Sequence, residues 1–323
     1  MKAVRFHQVG GPEVLQYEDV PMPEPGAGQV RLKLEAIGVN FIDNYLRLGQ
    51  YKTPLPAMLG QEGAGVVDAV GPEVDGVKVG DRVVAYWGQM RSYAEYAVVP
   101  AWLALPIPPG VRSQDAAAVI LQGMTAHYLA RSTYPLKPGD TALIHAAGGG
   151  TGALLVQIAK LCGARVLATA GSEGKLAIAR ESGADEVIHY TQTDFEPEVK
   201  RLTGGKGVNV VYDSVGKDTF DRSLNCLRPR GYMVLFGQSS GPVPPLDPQV
   251  LNAKGALFLT RPTLGYYVRD RTELAQRAGD LFTWIGEGKL KVRIAKTFPL
   301  AQAADAQRFL ASRAAMGKVL LVP

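Results

Sequence analysis

Residues His145 to Ala170 read HAAGGGTGALLVQIAKLCGARVLATA, and the chemistry available to that stretch lies in its glycines. Ala146, Gly149 and Gly152 have the spacing A-x-x-G-x-x-G between an apolar run and a helical pattern. A Cβ at such a turn blocks close approach of a pyrophosphate and tight helix–sheet packing, whereas the helix N-terminus offers free N–H donors and the positive end of a dipole. The second run ends in VLATAGSEGK, Val166 to Lys175. NAD-binding folds usually place a carboxylate about 20 residues past the turn, on the adenosine ribose. Here the run closes on Ala170 and Gly171 instead, followed by the Ser172 hydroxyl and the Lys175 cation. That pairing suits a ribose carrying a 2′-phosphate, and a lysine at a helix start opposes the dipole and so asks for an anion. The alternative is a solvated first-turn lysine. Tyr190 ends the next apolar run, where it can cap the adenine side. The cofactor expected is NADPH.

Apolar runs TALIHA, RVLATA, EVIHY, VNVVYDSV, GYMVLFGQ and ALFLT must position this turn. Helical patterns between them start near Gly152, Glu173, Phe195, Lys217 and Gln249. Such alternation predicts a doubly wound parallel sheet covered on both faces. Before Pro109 the texture differs: short β-like runs (KAVRFHQ, VLQYEDV, QVRLKLEAIGV, GAGVVDAVG, DRVVAYW, YAEYAVVP) cut by Gly and Pro predict a barrel-like β domain. One helical interruption, Phe41 to Gly49, directly follows a strand. After Thr260 the alternation stops. A long amphipathic helix near Arg271 to Glu287, the run VRIAKTFPL, another helix and the strand KVLLVP form a tail expected to fold back onto the first domain. The expected division is 1–122, 123–260 and a return segment 261–323.

Composition narrows the function classes. With 46% hydrophobic and 20% charged residues in 323, the chain is ordinary for a globular enzyme of two domains. Apolar runs such as Ala116 to Leu121 fall far short of the ~20 residues of a membrane span, and no signal-peptide core follows the basic start. A cytoplasmic protein is expected. The net charge of +5 is spread without runs, which argues against a nucleic-acid surface and favours anionic ligands such as nucleotides. Cys162 and Cys226 alone build neither a disulfide framework nor a four-cysteine zinc site.

The turn, together with GVNFIDNY (Gly38 to Tyr45), GQEGAGVV (Gly60 to Val67), VGDRV (Val79 to Val83) and VYDSVG (Val211 to Gly216), resembles the medium-chain dehydrogenase/reductase superfamily. The likeness runs over the whole chain and is greatest to the zinc-independent quinone oxidoreductase branch. It implies a GroES-like β domain with a Rossmann domain inserted in it. It further implies cofactor contacts from Phe41, Ile42, Asp43, Asn44 and Tyr45, from Tyr128, and from Gly149, Gly150 and Thr151 at the pyrophosphate. Gly171, Ser172, Lys175 and Tyr190 would meet the 2′-phosphate end. Ser214, Phe236, Gly237, Gln238, Ser239, Arg261, Pro262, Thr263 and Arg313 complete the implied set. Arg261 as a plain turn residue and Arg313 as a helix-end arginine are the competing readings.

Zinc-dependent members of the superfamily carry a cysteine and a histidine where this sequence has Asn40 and Gln61. Neither amide supplies the thiolate or imidazole of a tight zinc site, so no metal is expected to activate an alcohol. The implied reaction is hydride transfer from NADPH to a quinone. Asn40 is the expected hydrogen-bond partner of the acceptor carbonyl, with Tyr45 and Tyr51 lining the pocket, stabilising oxyanion charge or supplying a proton. Reduction of the activated C=C bond of an enone or alkenal is the alternative activity. An NADPH-binding, crystallin-like or RNA-binding protein with little turnover is the alternative of another class. A homodimer formed through ALFLT is expected from the resemblance.

Overall fold

The computed structural model describes residues 1–323. In chain order its strands are β1 (Lys2–Phe6), β2 (Gln16–Asp19), β3 (Gln29–Val39), β4 (Ala57–Met58), β5 (Glu62–Val70), β6 (Arg82–Tyr86), β7 (Tyr96–Pro100) and β8 (Leu105–Pro106). There follow β9 (Thr141–Ile144), β10 (Arg165–Ala170), β11 (Glu186–His189), β12 (Val208–Asp213), β13 (Leu227–Leu235), β14 (Phe258–Thr260), β15 (Ile294–Pro299) and β16 (Lys318–Val322). The helices are α1 (Phe41–Arg47), α2 (Ser113–Tyr128), α3 (Gly150–Leu161), α4 (Glu173–Glu181), α5 (Phe195–Leu202), α6 (Phe220–Asn225), α7 (Gln249–Ala253), α8 (Arg271–Gly286) and α9 (Ala303–Ala311).

Two compact units emerge: Met1–Leu121 with Val268–Gly288 and Val292–Pro323, and Gln122–Tyr267 with Lys289–Lys291. In the first, β3 alternates between covered and open positions until its last four residues, which are all buried. That pattern marks a strand with one face on a core and an end enclosed on both sides. A seven-stranded sheet in the order β15-β16-β3-β5-β6-β8, with β7 also on β3, lies beside a three-stranded sheet β2-β1-β4. Val4, Phe6, Leu32, Ile37, Tyr93, Val319 and Leu321 belong to its core. The closing strand β16 pairs antiparallel with β3, Val319 opposite Val39.

In the second unit the six parallel strands run β11-β10-β9-β12-β13-β14. Both faces are covered, so β10 is buried from Val166 to Ala170 and reads as a continuous apolar run. The order reverses between β9 and β12, the switch point at whose carboxyl edge doubly wound sheets hold ligands. One element departs from expectation. The helix expected near Lys217 starts at Phe220, because the Asp213 carboxylate accepts from Val215 N (2.7 Å), Gly216 N (3.0 Å) and Thr219 Oγ1 (2.7 Å) and holds the intervening residues in a turn. The apolar run Ala116–Leu121 lies inside the sixteen-residue helix α2, which hydrophobic run length alone does not reveal. No helix is long and apolar enough to cross a membrane.

Candidate active site

At the carboxyl edge of the parallel sheet the turn after β9 is set by backbone alone. Ala146 adopts φ +52°, and Gly149 caps α3 with its N–H donated to the Ala146 carbonyl at 2.9 Å. A Cβ on Gly152 would lie 2.3 Å from the Ala146 oxygen, and one on Gly148 2.5 Å from the Lys175 carbonyl oxygen. The first of these is the tight helix–turn packing that the spacing predicts. The second shows that α4 rests against the same turn, so Lys175 is delivered to it by contact between main chains. Gly171 lies under the Tyr190 ring, its missing Cβ 2.8 Å from the tyrosine oxygen. Ser172 is the N-cap of α4, yet its hydroxyl makes no capping hydrogen bond.

The remaining strand ends join this edge. Ser239 N donates to the Ser214 carbonyl at 3.1 Å, and Gly237 packs on Ser214, linking the turns after β12 and β13. Phe236, Gly237, Gln238 and Ser239 are all partly exposed there. Arg261 and Thr263 follow β14 as exposed residues around a buried Pro262, and the Arg261 guanidinium reaches the Pro262 carbonyl at 3.4 Å. Thus Gly149, Gly150, Thr151, Gly171, Ser172, Lys175, Tyr190, Ser214, Phe236–Ser239 and Arg261–Thr263 all follow the carboxyl ends of strands of one sheet. Tyr128 is corrected: expected as a cofactor contact, it is only 1% exposed, its ring stacked on Tyr267 at 4.2 Å and 8°. His145, beside the turn, is structural. Its ring nitrogens meet Thr169 Oγ1 and Ser223 Oγ, each at 2.8 Å, and burial holds its pKa below the ordinary imidazole range, so it is neutral. Burial also pushes the Cys226 thiol up to about 12, which removes it as a nucleophile.

In the other unit, the end of β3 delivers Asn40 to α1. Phe41 and Tyr45 are partly exposed, and Tyr45 meets the Tyr51 ring edge-on at 5.8 Å, so the expected tyrosines do come together. Asp43 and Asn44 turn their side chains inward, so within this segment only Phe41, Ile42 and Tyr45 leave side-chain surface open. Asp43 is fully buried, accepting from Asn40 N (2.8 Å), Gly60 N (3.2 Å) and the Tyr93 hydroxyl (3.2 Å). Ile42 stays partly exposed. Arg313 stands exposed just past the end of α9 at φ +60°.

Asn40 is corrected as well. It is 4% exposed; its Nδ2 donates to Glu62 Oε1 at 2.6 Å, and its Oδ1 accepts from Lys318 Nζ at 2.7 Å. Lys318 also forms a salt bridge with Glu62, whose other oxygen accepts from Leu121 N at 2.8 Å. Gly38 makes this possible, because a Cβ there would overlap the Glu62 carboxylate. Both polar ends of the Asn40 amide are therefore committed to a buried ion pair. Glu62 and Lys318 were not singled out from sequence. Glu62 stands inside GQEGAGVV, but its partner lies 256 residues away and no local pattern links them.

A zinc ion does not fit this place. Amides at 40 and 61 are poor ligands for it, and an ammonium already sits within hydrogen-bonding distance of the Asn40 oxygen, so a cation would meet a fixed like charge. The glycine turn does fit a dinucleotide, because its close packing at Gly148 and Gly152 holds the N-terminus of α3 at the carboxyl edge of the sheet with no side chain capping it.

Two family models match the chain. Residues 26–109 match the alcohol dehydrogenase GroES-like domain, and residues 150–283 match a family described as zinc-binding dehydrogenase. The chain is 46% identical to a quinone oxidoreductase of Pseudomonas aeruginosa, over 100% of this chain and 99% of that protein. It is 42% identical to a 2-haloacrylate reductase of a Burkholderia species, over 99% and 98% of the two chains. The crystal structure of Escherichia coli quinone oxidoreductase complexed with NADPH superposes with a TM-score of 0.97 at 43% identity, covering 100% of both chains. The glycine cradle at a sheet switch point, the amides at 40 and 61 and these full-length likenesses have one reading: the chain belongs to the quinone oxidoreductase branch of the medium-chain dehydrogenase/reductase superfamily.

Proposed function

We propose that the chain is an NADPH-dependent quinone reductase that works without a metal. The observation that carries this reading is the end of β10. It closes on Ala170 and Gly171 with no carboxylate at the strand end for a free ribose hydroxyl, the first being Glu173 inside α4, and then presents an uncapped Ser172 hydroxyl and Lys175 held against the glycine turn. Ser172 and Lys175 bind the 2′-phosphate, Tyr190 covers the adenosine side, and Gly149, Gly150 and Thr151 receive the pyrophosphate at the start of α3. Ser214, Phe236–Ser239 and Arg261–Thr263 orient the rest. NADPH, when bound, supplies the hydride. The chain's part is to hold the acceptor and exclude competing reactions. Phe41, Ile42, Tyr45 and Tyr51 form the acceptor wall, and the tyrosine hydroxyls face oxyanion charge as it develops. One hydride and one proton convert a quinone ring to its hydroquinone level.

Reduction of an activated C=C bond is the second reading, favoured by the likeness to 2-haloacrylate reductase, since an acrylate is an alkene conjugated with a carboxylate. NADPH oxidation with a panel of quinones, enones and acrylates separates the two. Quinones turning over fastest is the expected result; acrylates alone turning over would replace it. The chain acts as a homodimer in this reading, because β14 is an edge strand exposing Phe258 and Leu259, and unpaired edges of that kind recruit a second strand. Sedimentation at micromolar concentration tests it. A reducing, cytoplasmic setting suits the unpaired thiols Cys162 and Cys226.

A further inference from the structure

Helix α1 spans Phe41–Arg47, seven residues, and is too short to hold its shape without tertiary support. Its two faces differ in kind. Phe41 and Tyr45, four residues apart, are the partly exposed aromatic face. Asp43 and Arg47, again four apart, are the buried face. Their outer ends meet through other elements. Asp43 accepts from the Tyr93 hydroxyl, Tyr93 is approached by Gln307 Nε2 at 3.4 Å, and Gln307 Oε1 accepts from Arg47 Nε at 2.5 Å. Arg47 donates in addition to the Gly10 carbonyl. The helix is thus closed into a ring of polar contacts with α9 and the segment before β7.

We propose that Asp43 is a positioning residue for acceptor binding, its carboxylate fixing the rotation of α1 and hence the direction of the Phe41–Tyr45–Tyr51 cluster. The role rests on reading that cluster as the acceptor wall. One carboxylate joins the entry of α1, through Asn40 N, to the Gly60 turn and to Tyr93. Gly60, at φ +96°, has no alternative, since a Cβ would come within 2.2 Å of Ser92 Oγ. Lys318 on β16 and Glu62 on β5 stand behind Asn40 as an ion pair, and Arg47 stands behind Gln307. Burial works against the ionised acid and raises Asp43 to about 6. An apolar side chain would serve packing at less cost; a group that accepts from three donors serves orientation.

Asp43→Asn keeps the volume but places an NH2 where one set of donors points, so it holds either the Asn40 and Tyr93 side or the Gly60 side. Amide exchange by mass spectrometry should accelerate about tenfold over residues 41–51 and stay unchanged over the parallel sheet. Quinone KM should rise about tenfold, with the NADPH Kd from fluorescence titration unmoved. Tyr93→Phe, which removes one hydroxyl and leaves the carboxylate, should show the same pattern at roughly a third of the size, and carries the test if Asp43→Asn does not fold. Wild-type exchange and wild-type KM in a folded variant overturn the proposal, as does an NADPH Kd that rises in step with KM, the mark of general damage. If the wild type reduces neither quinone nor enone, the functional reading fails, and faster exchange over residues 41–51 alone then decides whether Asp43 fixes the helix.

Discussion

The glycine turn after β9 and the helix after β3 are both short segments that follow a strand and carry residues proposed to meet ligands, yet they are held by opposite means. The turn is held by what is missing: contacts between main chains at Gly148 and Gly152 leave no room for a side chain. Helix α1 is held by what is present, buried charged and polar groups drawn from β5, α9, β16 and the segment before β7. A binding surface of the first kind is tolerant of distant change, because its geometry is local. One of the second kind depends on residues far along the chain, with Lys318 five places from the end. The difference teaches that cofactor binding and acceptor binding in this chain should fail independently.

The largest break expected is at the buried ion pair. Lys318→Met leaves Glu62 buried without its counter-charge, a change of about 3–5 kcal/mol in stability, read by denaturant unfolding. Turnover should fall with it while refolded protein still binds NADPH; loss of NADPH binding at equal stability would join the two regions that the comparison separates. Next comes the pH dependence of Asp43. Its pKa is raised in the folded state, so its contribution to stability is full below its ordinary value of 3.8 and is lost as pH rises through about 6. Wild type should therefore lose up to about 3 kcal/mol relative to Asp43→Asn between those limits. A wild type that instead gains on the variant as pH rises would mean a carboxylate favoured, not penalised, by its surroundings.

Lys175→Ala sharpens the cofactor side of the comparison. Removing a charge-assisted contact of about 1.5–3 kcal/mol should weaken NADPH by about one to two powers of ten and leave NADH nearly unchanged. Added salt should narrow the preference for NADPH in the wild type. Equal weakening of both cofactors would make Lys175 a prop for the turn. The smallest effect expected is none: exhaustive chelation should leave quinone reduction at its starting rate, because the donors at Asn40 and Gln61 and the ammonium of Lys318 do not suit zinc. Loss with chelator and recovery with zinc would overturn that reading.

How legible each region was follows from the range of the forces that shape it. The parallel sheet, its strand ends and the glycine turn were readable because periodicity, Gly spacing and the lack of a carboxylate at the very end of β10 are local properties of the chain. The resemblance carried by GVNFIDNY and GQEGAGVV likewise pointed to the right family, and Tyr45 and Tyr51 to one aromatic cluster. What the sequence left open is which way side chains turn within a motif once found. Asn40, Asp43 and Asn44 looked available to ligands, and Tyr128 likewise, until packing turned them inward or covered them. The reason is physical: a polar side chain near a strand end is equally suited to a ligand or to a buried partner. That choice falls to whatever charge the rest of the chain brings beside it, which for Asn40 is Glu62 from β5 and Lys318 from the last strand. Hydrophobic pattern and glycine spacing by themselves determined the two kinds of domain and the cofactor class. Only the tertiary structure, by bringing together charges 256 residues apart in a medium where an unpaired one is costly, decided which polar side chains are committed to buried partners.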